Sequence, residues 1–353
     1  MSTNQGELQV VEKIQETKDV VTLRLLPTSG DFSYEAGQFI TLVSEKLGPQ
    51  EIRRSYSISS APAGNEMLSI TVKRQSNGAF SRFLHDKIQV GDHLQALLPA
   101  GQFVLPPDFA DLLFIGGGSG ITPLFSLIKQ ALYSNPHCHV ALLYANRDER
   151  GIIFKTQLQE LQLEFGERFR CHYFLSNPQN PLTELAPATA TWAHLSNEHI
   201  ELWAGTYLST GKKWPHVFLC GPEGLMLKAE MELHFLGFPS DHLHREIFQI
   251  KTVQRPEAHL FPPCTAEIEL EDRVVEVPVY PGQTILEATQ QAGLDLPFSC
   301  KSGICTTCSL QLLAGKVAMY TQNGYLDTDQ TMGLSLICVG YPLTEQVALK
   351  KIK

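Results

Sequence analysis

No stretch of this 353-residue chain forms a long apolar run, let alone the roughly 20 residues that cross a bilayer. Its first residues, Met1-Ser2-Thr3-Asn4-Gln5-Gly6-Glu7-Leu8, lack the apolar core of a secretory signal. Basic residues are outnumbered, 28 Lys and Arg against 37 Asp and Glu. The net charge of −9 argues against nucleic acid or an anionic membrane as a partner. Cysteine is sparse, eight in all, too few and too scattered for a secreted disulfide scaffold. Internal repeats and low-complexity tracts are missing as well. A cytoplasmic globular protein is the expectation. With 43% hydrophobic and 18% charged residues, the chain has apolar material for two or three domains.

What is present begins with half of those cysteines. Cys300, Cys305 and Cys308 stand in Cys-x4-Cys-x2-Cys spacing, and Cys338 follows at a distance. This matches the thiolate set of a plant-type [2Fe–2S] cluster. Ser302 and Gly303 give the loop freedom for tight turns that aim backbone N–H groups at the sulfurs, and Cys338 is expected on a later strand. Two other readings stay open. A zinc site normally shows two paired-ligand knuckles where only Cys305/Cys308 is found, and disulfides need an oxidising compartment.

Ahead of this loop the pattern changes twice. Residues 8–105 read as short strands, among them Val20–Leu26, Gln38–Val43, Ser55–Ser59, Leu68–Lys73 and His93–Leu98, which suggests a small antiparallel β-barrel. From Asp111 strands alternate with helices in the manner of a parallel α/β sheet: strands at Leu112–Ile115, Val140–Tyr144, Arg170–Phe174 and His216–Cys220, helices at Pro123–Tyr133 and about 154–165, 198–207 and 223–236. Thr122 is expected to cap the first of these helices, with Pro123 at its first position. Pro256, Pro262 and Pro263 mark a linker, Cys264–Val279 a hairpin, and Thr284-Ile285-Leu286-Glu287 a capping box whose helix stops at Gly293. The expected domains are 1–107 (β-barrel), 108–250 (α/β), 251–263 (linker) and 264–353 (an α+β iron–sulfur domain).

Several constellations carry chemistry. Arg54 and Tyr56 share one strand face, where a guanidinium can grip phosphate and a phenol can stack on a flat ring, as a flavin nucleotide requires. Ser57 faces the other way, near enough to the edge to reach a ring nitrogen. Gly78-Ala79-Phe80-Ser81 opens a short helix whose free N–H groups suit a pyrophosphate, and Ile70–Arg74, with Lys73, can line the flavin edge. Gly116-Gly117-Gly118-Ser119-Gly120 links a strand to a helix, the setting of a dinucleotide turn, although Ile121 replaces the third glycine of the Rossmann fingerprint. Cys220-Gly221-Pro222 ends another strand where open α/β sheets bind ligands. Glu246 and Phe248 are expected to alternate onto one strand face. Each of these has a plainer reading as ordinary strand, turn or buried thiol. His242 and His244, like His137 and His139, show strand spacing but no third metal ligand in sequence, and Cys138, Cys171 and Cys264 read as buried thiols.

Taken in order, Arg54-x-Tyr56-Ser57-x-x-Ser60, the Gly-Gly-x-Ser-Gly-Ile-Thr-Pro turn and Cys220-Gly221-Pro222 resemble the ferredoxin–NADP reductase superfamily. With the plant-type ferredoxin stretch behind them, the chain resembles the reductase components of multicomponent oxygenases. That resemblance implies FAD, a pyridine dinucleotide and a [2Fe–2S] cluster as cofactors. It implies that Arg54, Gly78, Ala79 and Ser81 hold the FAD pyrophosphate, with Ser60, Lys73 and Phe80 in the same site. Tyr56 would lie on the flavin, Ser57 near its N5 and Phe248 over its ring. Gly118, Thr122, Asn146, Gly221 and Pro222 would bind NAD(P)H, and Cys220 and Glu246 would flank the nicotinamide. Two departures stand out. Thr306 occupies a position where many ferredoxins have glycine. After Tyr144-Ala145-Asn146 comes Arg147 rather than a carboxylate, which with Arg150 points to a 2′-phosphate and NADPH over NADH, although Asp148 and Glu149 adjoin.

The implied task is NAD(P)H-dependent reduction, with electrons passing from coenzyme to FAD to cluster and on to an external oxygenase. A flavin suits the middle place because it accepts electrons as a pair and releases them singly. Alternatives are a stand-alone diaphorase, a reductase for another redox acceptor such as a hybrid-cluster protein, and a non-enzymatic iron–sulfur sensor.

Overall fold

The computed structural model describes residues 5–45, 47–48, 51–179, 189–208, 214–248, 256–270, 273–294, 296–298, 301–303, 307–320 and 333–351, the side chains of 206–208 excepted. Cys300, Cys305, Thr306 and 251–255 of the expected linker lie outside them. Two compact units emerge, Gln5–Glu246 and a second starting at Ile247.

The first unit opens with an antiparallel sheet of β1 (Gln5–Thr17), β2 (Val20–Ser29), β3 (Phe39–Ser44), β4 (Ile52–Ser57), β5 (Ser69–Lys73) and β6 (His93–Ala100). Their order is β4-β3-β6-β1-β2-β5. A single antiparallel bridge, Ile58↔Ile70, joins the two ends and closes the barrel. Alternate residues point inward, so Leu8, Val10, Leu23, Ile40, Leu42 and Val72 make its core. Helix α1 (Ala79–Asp86) follows β5 and buries Phe80 and Leu84.

The second layer is a parallel sheet in the order β10-β9-β8-β7-β11-β12. Its elements are β7 (Leu112–Gly117), α2 (Ile121–Ser134), β8 (Val140–Asn146), α3 (Lys155–Phe165), β9 (Phe169–Leu175), β10 (Ala190–Thr191), α4 (Asn197–Leu208), β11 (His216–Cys220), α5 (Glu223–Phe235) and β12 (Leu243–Glu246). Strands β7 and β8 read as apolar runs because helices cover both faces of such a sheet. The two layers are joined by more than the chain. Ala36 and Phe103 sit in the α/β core, Ser126 Oγ donates to the Ser60 carbonyl, and the buried Lys129 ammonium meets Glu66.

Helix α2 corrects one expectation. It starts at Ile121, and Gly120 takes the cap position, because Gly118–Gly120 winds as a 3-10 turn straight into it. Thr122 lies inside the first turn, its Oγ1 donating to the Ser119 carbonyl at 3.0 Å.

The second unit contains β13 (Cys264–Glu269), β14 (Val274–Val279), α6 (Ile285–Gln291), β15 (Ser309–Ala314), β16 (Val317–Met319), β17 (Leu334–Leu336), β18 (Gly340–Pro342) and β19 (Gln346–Lys351). The sheet order is β14-β13-β19-β15-β17, with β16 and β18 paired apart. The hairpin and the capping box form as expected. Thr284 Oγ1 accepts from Glu287 N, and Glu287 Oε2 accepts from Thr284 N, both at 3.1 Å. Gly293, at φ +76°, follows the helix end. Phe261, from the expected linker, stacks on buried Tyr341 at 4.9 Å, so this end of the linker belongs to the module.

Candidate active site

The parallel sheet reverses its winding beside β7. From there the chain moves outward through β8, β9 and β10, then returns to lay β11 and β12 on the other flank. Ligands of open α/β sheets bind beyond the strands' carboxyl ends at such a reversal. Here those ends carry Gly116, paired with Cys220, and Glu246, paired with Cys220 from the other side.

The glycines of the turn divide into two kinds. A Cβ on Gly117 would stand 2.7 Å from Pro222 Cδ, one on Gly120 2.1 Å from the Cys220 carbonyl oxygen, and one on Gly221 2.8 Å from Gly117 N. These three let the turns after β7 and β11 meet backbone to backbone. Gly118 is the other kind. Its φ is +53°, and nothing lies within 4 Å of where a Cβ would be. The wholly buried Tyr144 hydroxyl donates to the Gly118 carbonyl at 2.9 Å and accepts from Ile153 N at 3.3 Å. Tyr144 was not singled out from sequence, where a tyrosine ending an apolar strand gives no such signal. Open backbone at Gly118, held from behind, fits a dinucleotide's phosphates.

At the end of β8, Asn146 Nδ2 is buried with no hydrogen-bond partner among the described residues. An orphaned buried donor is costly, and a ligand acceptor would satisfy it. Arg147 next to it is exposed. Arg150 lies 3.6 Å from Asp148 and is 72% exposed, a weak pairing.

The barrel supplies the facing wall. Ser57, buried at the end of β4, donates its hydroxyl to Glu246 Oε2 at 3.1 Å, across 189 residues of sequence. Burial pushes the Glu246 carboxyl up to about 8, with the Ser57 hydrogen bond opposing, so the acid holds its proton at neutral pH. Burial, and then the Glu246 charge, hold the Cys220 thiol well above its ordinary value. A thiol so held is a neutral packing surface rather than a nucleophile.

Arg54 is exposed, its Nη1 donating to the Arg53 carbonyl at 2.7 Å. Tyr56 is half-buried on the same face, its ring 6.2 Å from Phe80, and burial raises its phenol. Gly78 caps α1 without a side chain, so the first-turn amides stay open. Ser81 Oγ is engaged within this turn, accepting from Gln75 N at 3.1 Å and donating to the Gly78 carbonyl at 3.2 Å. Ser60 Oγ likewise accepts from Ser69 N at 3.0 Å and bonds the Tyr34 hydroxyl at 2.7 Å. Lys73 lies 3.7 Å from Asp19 at the surface. An open guanidinium, a flanking aromatic and open helix amides together fit a flavin dinucleotide. Phe248 departs from expectation: β12 ends at Glu246, and Phe248, 42% exposed, lies beyond the strand, so the two do not alternate along it.

In the second unit Cys308 and Cys338 are both buried in one core. Ser309 and Leu336 are paired across β15 and β17, and Ile337 N donates to the Cys308 carbonyl at 3.3 Å, which holds the two cysteines near each other. Cys338 stands in the turn after β17 rather than on a strand, because the ladder ends at Leu336. Lys301 (φ +52°) and Gly303 (φ +71°) give the loop the sharp turns its glycine and serine led us to expect. Two neighbouring buried cysteines and a tightly turned stretch at Lys301–Gly303 fit the cluster. Cys138, Cys171 and Cys264 are buried, as read from sequence, with thiols raised by burial.

Comparison with known proteins agrees with this geometry. Residues 7–105 match the oxidoreductase FAD-binding domain, 114–230 the oxidoreductase NAD-binding domain and 268–343 the 2Fe-2S iron-sulfur cluster binding domain. The ferredoxin reductase component of 3-ketosteroid-9-alpha-monooxygenase from Mycobacterium tuberculosis is 33% identical over 97% of this chain and 94% of its own. This chain belongs to the family of oxygenase reductase components. Another relative in that family, one of the subunits of the 1,2-phenylacetyl-CoA epoxidase of Escherichia coli, is 29% identical over 97% of this chain and 96% of its own. Phthalate dioxygenase reductase shares the fold at 24% identity, with a TM-score of 0.59 over 98% of this chain and 97% of its own. The family reductase is an NAD(P)H-dependent oxidoreductase with FAD and [2Fe–2S] as cofactors. No helix among the described residues is long and apolar enough to cross a membrane.

Proposed function

We propose that this reductase draws electrons from NADPH at the crevice between Ser57, Cys220 and Glu246 and delivers them through its [2Fe–2S] centre to a separate oxygenase in the cytoplasm. The convergence of those three side chains at the sheet's reversal carries the reading. When bound, FAD would supply the conversion of a hydride's electron pair into the single electrons an iron–sulfur centre can take.

The chain's own residues do the rest. Arg54 and the α1 amides at Gly78 and Ala79 hold the flavin's phosphates, and Tyr56 backed by Phe80 fixes its plane. Ser60, Lys73 and Ser81 shape the surrounding wall. The open Gly118 backbone, Thr122, Asn146, Gly221 and Pro222 orient the coenzyme, and Arg147 selects the 2′-phosphate. Cys220, neutral and buried, shapes the floor against which the nicotinamide lies. Ser57 and the protonated Glu246 place a proton-bearing pair beside the reacting edge and keep water from it. Cys300, Cys305, Cys308 and Cys338 ligate the cluster. We assign 1–107 to flavin, 108–250 to the coenzyme and 264–353 to the cluster, with the expected linker 251–263 shortened at its Phe261 end, which packs in the cluster module.

Anaerobic addition of NADPH to the purified protein should bleach both the flavin bands and the cluster bands. Bleaching of the flavin alone would refute the relay. Among the acceptor readings the oxygenase is favoured by three relatives whose names are those of monooxygenase or epoxidase components. Affinity capture with the intact reductase should retain an oxygenase component, and turnover with artificial acceptors only would refute that part.

A further inference from the structure

The barrel turns a row of buried hydroxyls toward the α/β layer. Ile58 and Ile70 point into the barrel core, so Ser57, Ser59 and Thr71 point out of it. Thr22 stands opposite Thr71 on this outer face, and Val20, two residues before it, packs in the α/β core. Thr22, Thr71 and Ser59 are all buried. Their oxygens form a chain: Ser59 Oγ to Thr71 Oγ1 at 2.9 Å, Thr71 Oγ1 to Thr22 Oγ1 at 2.8 Å, and Thr22 Oγ1 to Glu16 Oε1 at 2.7 Å. The hydrogens point one way, because a hydroxyl carries one hydrogen and a carboxylate only accepts. Thr22 donates to Glu16, so Thr71 donates to Thr22 and Ser59 to Thr71. Glu16 is half-buried. Its other oxygen accepts from Gln157 Nε2 of α3 at 3.1 Å, and the Lys129 ammonium of α2 adds a positive charge nearby. The inner end of the chain reaches the active site. The antiparallel Ile58↔Ile70 bridge sets Ser57 opposite Thr71, and side chains so opposed have Cβ atoms roughly 5 Å apart. A turn of the Ser57 hydroxyl from Glu246 to Thr71 closes the gap.

We infer, on the hydride-transfer reading of the crevice, that Thr71, Thr22 and Glu16 carry the reaction's proton from Ser57 to solvent. Each NADPH oxidised yields NADP⁺, two electrons and one proton. The electrons leave singly through the iron–sulfur centre, so the proton needs its own way out of a crevice from which Ser57 and Glu246 keep water. The Glu246 carboxyl hands a hydrogen to Ser57 and takes the reaction's proton in its place. Ser57, Thr71 and Thr22 each pass one hydrogen on and gain another, so none changes its proton count. At the Glu16 carboxylate the proton meets bulk water. Valine would serve strand packing at positions 22 and 71 equally well. Hydroxyls aligned on a carboxylate add a path that packing does not require.

A single turnover of the FAD- and cluster-loaded full chain, with one equivalent of NADPH and ferricyanide as the one-electron acceptor, is followed in weak buffer with a pH indicator. One proton per NADPH should appear. Thr71→Val should slow its appearance about tenfold or more and raise the solvent deuterium isotope effect, while Thr71→Ser, which keeps the hydroxyl, restores both. Proton release from Thr71→Val at the wild-type rate overturns the path. Absence of flavin bleaching by NADPH in the wild type would instead remove the hydride-transfer reading, and the path with it. Neutron diffraction from crystals of the resting wild-type protein exchanged into D₂O needs no turnover and no variant. Deuterium on Thr22 should point at Glu16 and deuterium on Thr71 at Thr22; a Thr71 deuterium directed elsewhere overturns the path even if Thr71→Val does not fold.

Discussion

Replacing Glu246 by glutamine should flatten the pH dependence of stability across the neutral range. Burial carries this carboxyl from 4.5 up to about 8. At pH 7 it is protonated in the folded protein, whereas in the unfolded chain it ionises. A raised pKa of this kind favours the fold fully below the unfolded value, and the advantage is lost as pH climbs through the folded one. Stability should therefore fall between about pH 4.5 and pH 8. At about 1.4 kcal/mol per pH unit, the whole shift corresponds to roughly 5 kcal/mol. Glu246 as a residue is only half-buried, so solvent screens part of this, and about 2–3 kcal/mol is the realistic loss. Glutamine keeps an oxygen to accept from Ser57 and cannot ionise. Thermal unfolding at pH 5 and pH 8.5, followed by flavin release, reads the difference. For folding units of 150–250 residues, about 2–4 °C per kcal/mol translates into a wild-type loss about 5–10 °C larger than that of Glu246→Gln. Other groups titrate alike in both proteins, so parallel profiles would refute the buried, protonated acid.

Cys220→Ser should slow hydride transfer, read as the rate of flavin bleaching after mixing with NADPH, while FAD stays bound; an unchanged rate removes the thiol from the site. Arg54→Ala should strip FAD during purification, visible as a lost flavin-to-protein absorbance ratio, and full occupancy would undo the phosphate assignment. Arg147→Ala should raise KM for NADPH by tenfold or more while KM for NADH hardly moves, and equal effects would deny a phosphate contact. Thr284→Ala removes one half of an observed capping box and should cost the iron–sulfur module about 1 kcal/mol, measured by denaturant unfolding followed in the cluster's absorbance.

Local chemistry made some of this architecture legible in the chain alone. The capping box Thr284-x-x-Glu287 is a contact between neighbours in sequence, so the residues that specify it are also those that form it. The same holds for the hairpin after Cys264 and for the strand-to-helix turn at Gly116–Gly120. Thr122 misled because a good capping residue before Pro123 competes with a 3-10 turn already running into the helix. Strand β1 escaped notice as the longest strand because its register shifts at Glu7/Leu8, Val10/Glu12 and Gln15/Thr17 break the period-2 pattern. The site itself was legible as residue types but not as a constellation. The bond from Ser57 to Glu246 depends on the order in which parallel strands are laid down, and no local spacing encodes that.

A cylinder closed by one bridge and the few Ser59–Ser69 and Ser60–Ser69 bonds beside it will part there first. The lone Ile58↔Ile70 bridge lies one residue beyond Ser57, next to the wall assigned to the flavin. Around the rest of the circumference each neighbouring pair is joined by a ladder of four or more residue pairs. Breathing at this seam would let a planar guest slip in or out while the rest of the cylinder stays wound. Loading and loss of the yellow cofactor should then be quick compared with denaturation, and deuterium should enter the amides of Ile58 and Ser59 before those of β1 and β2.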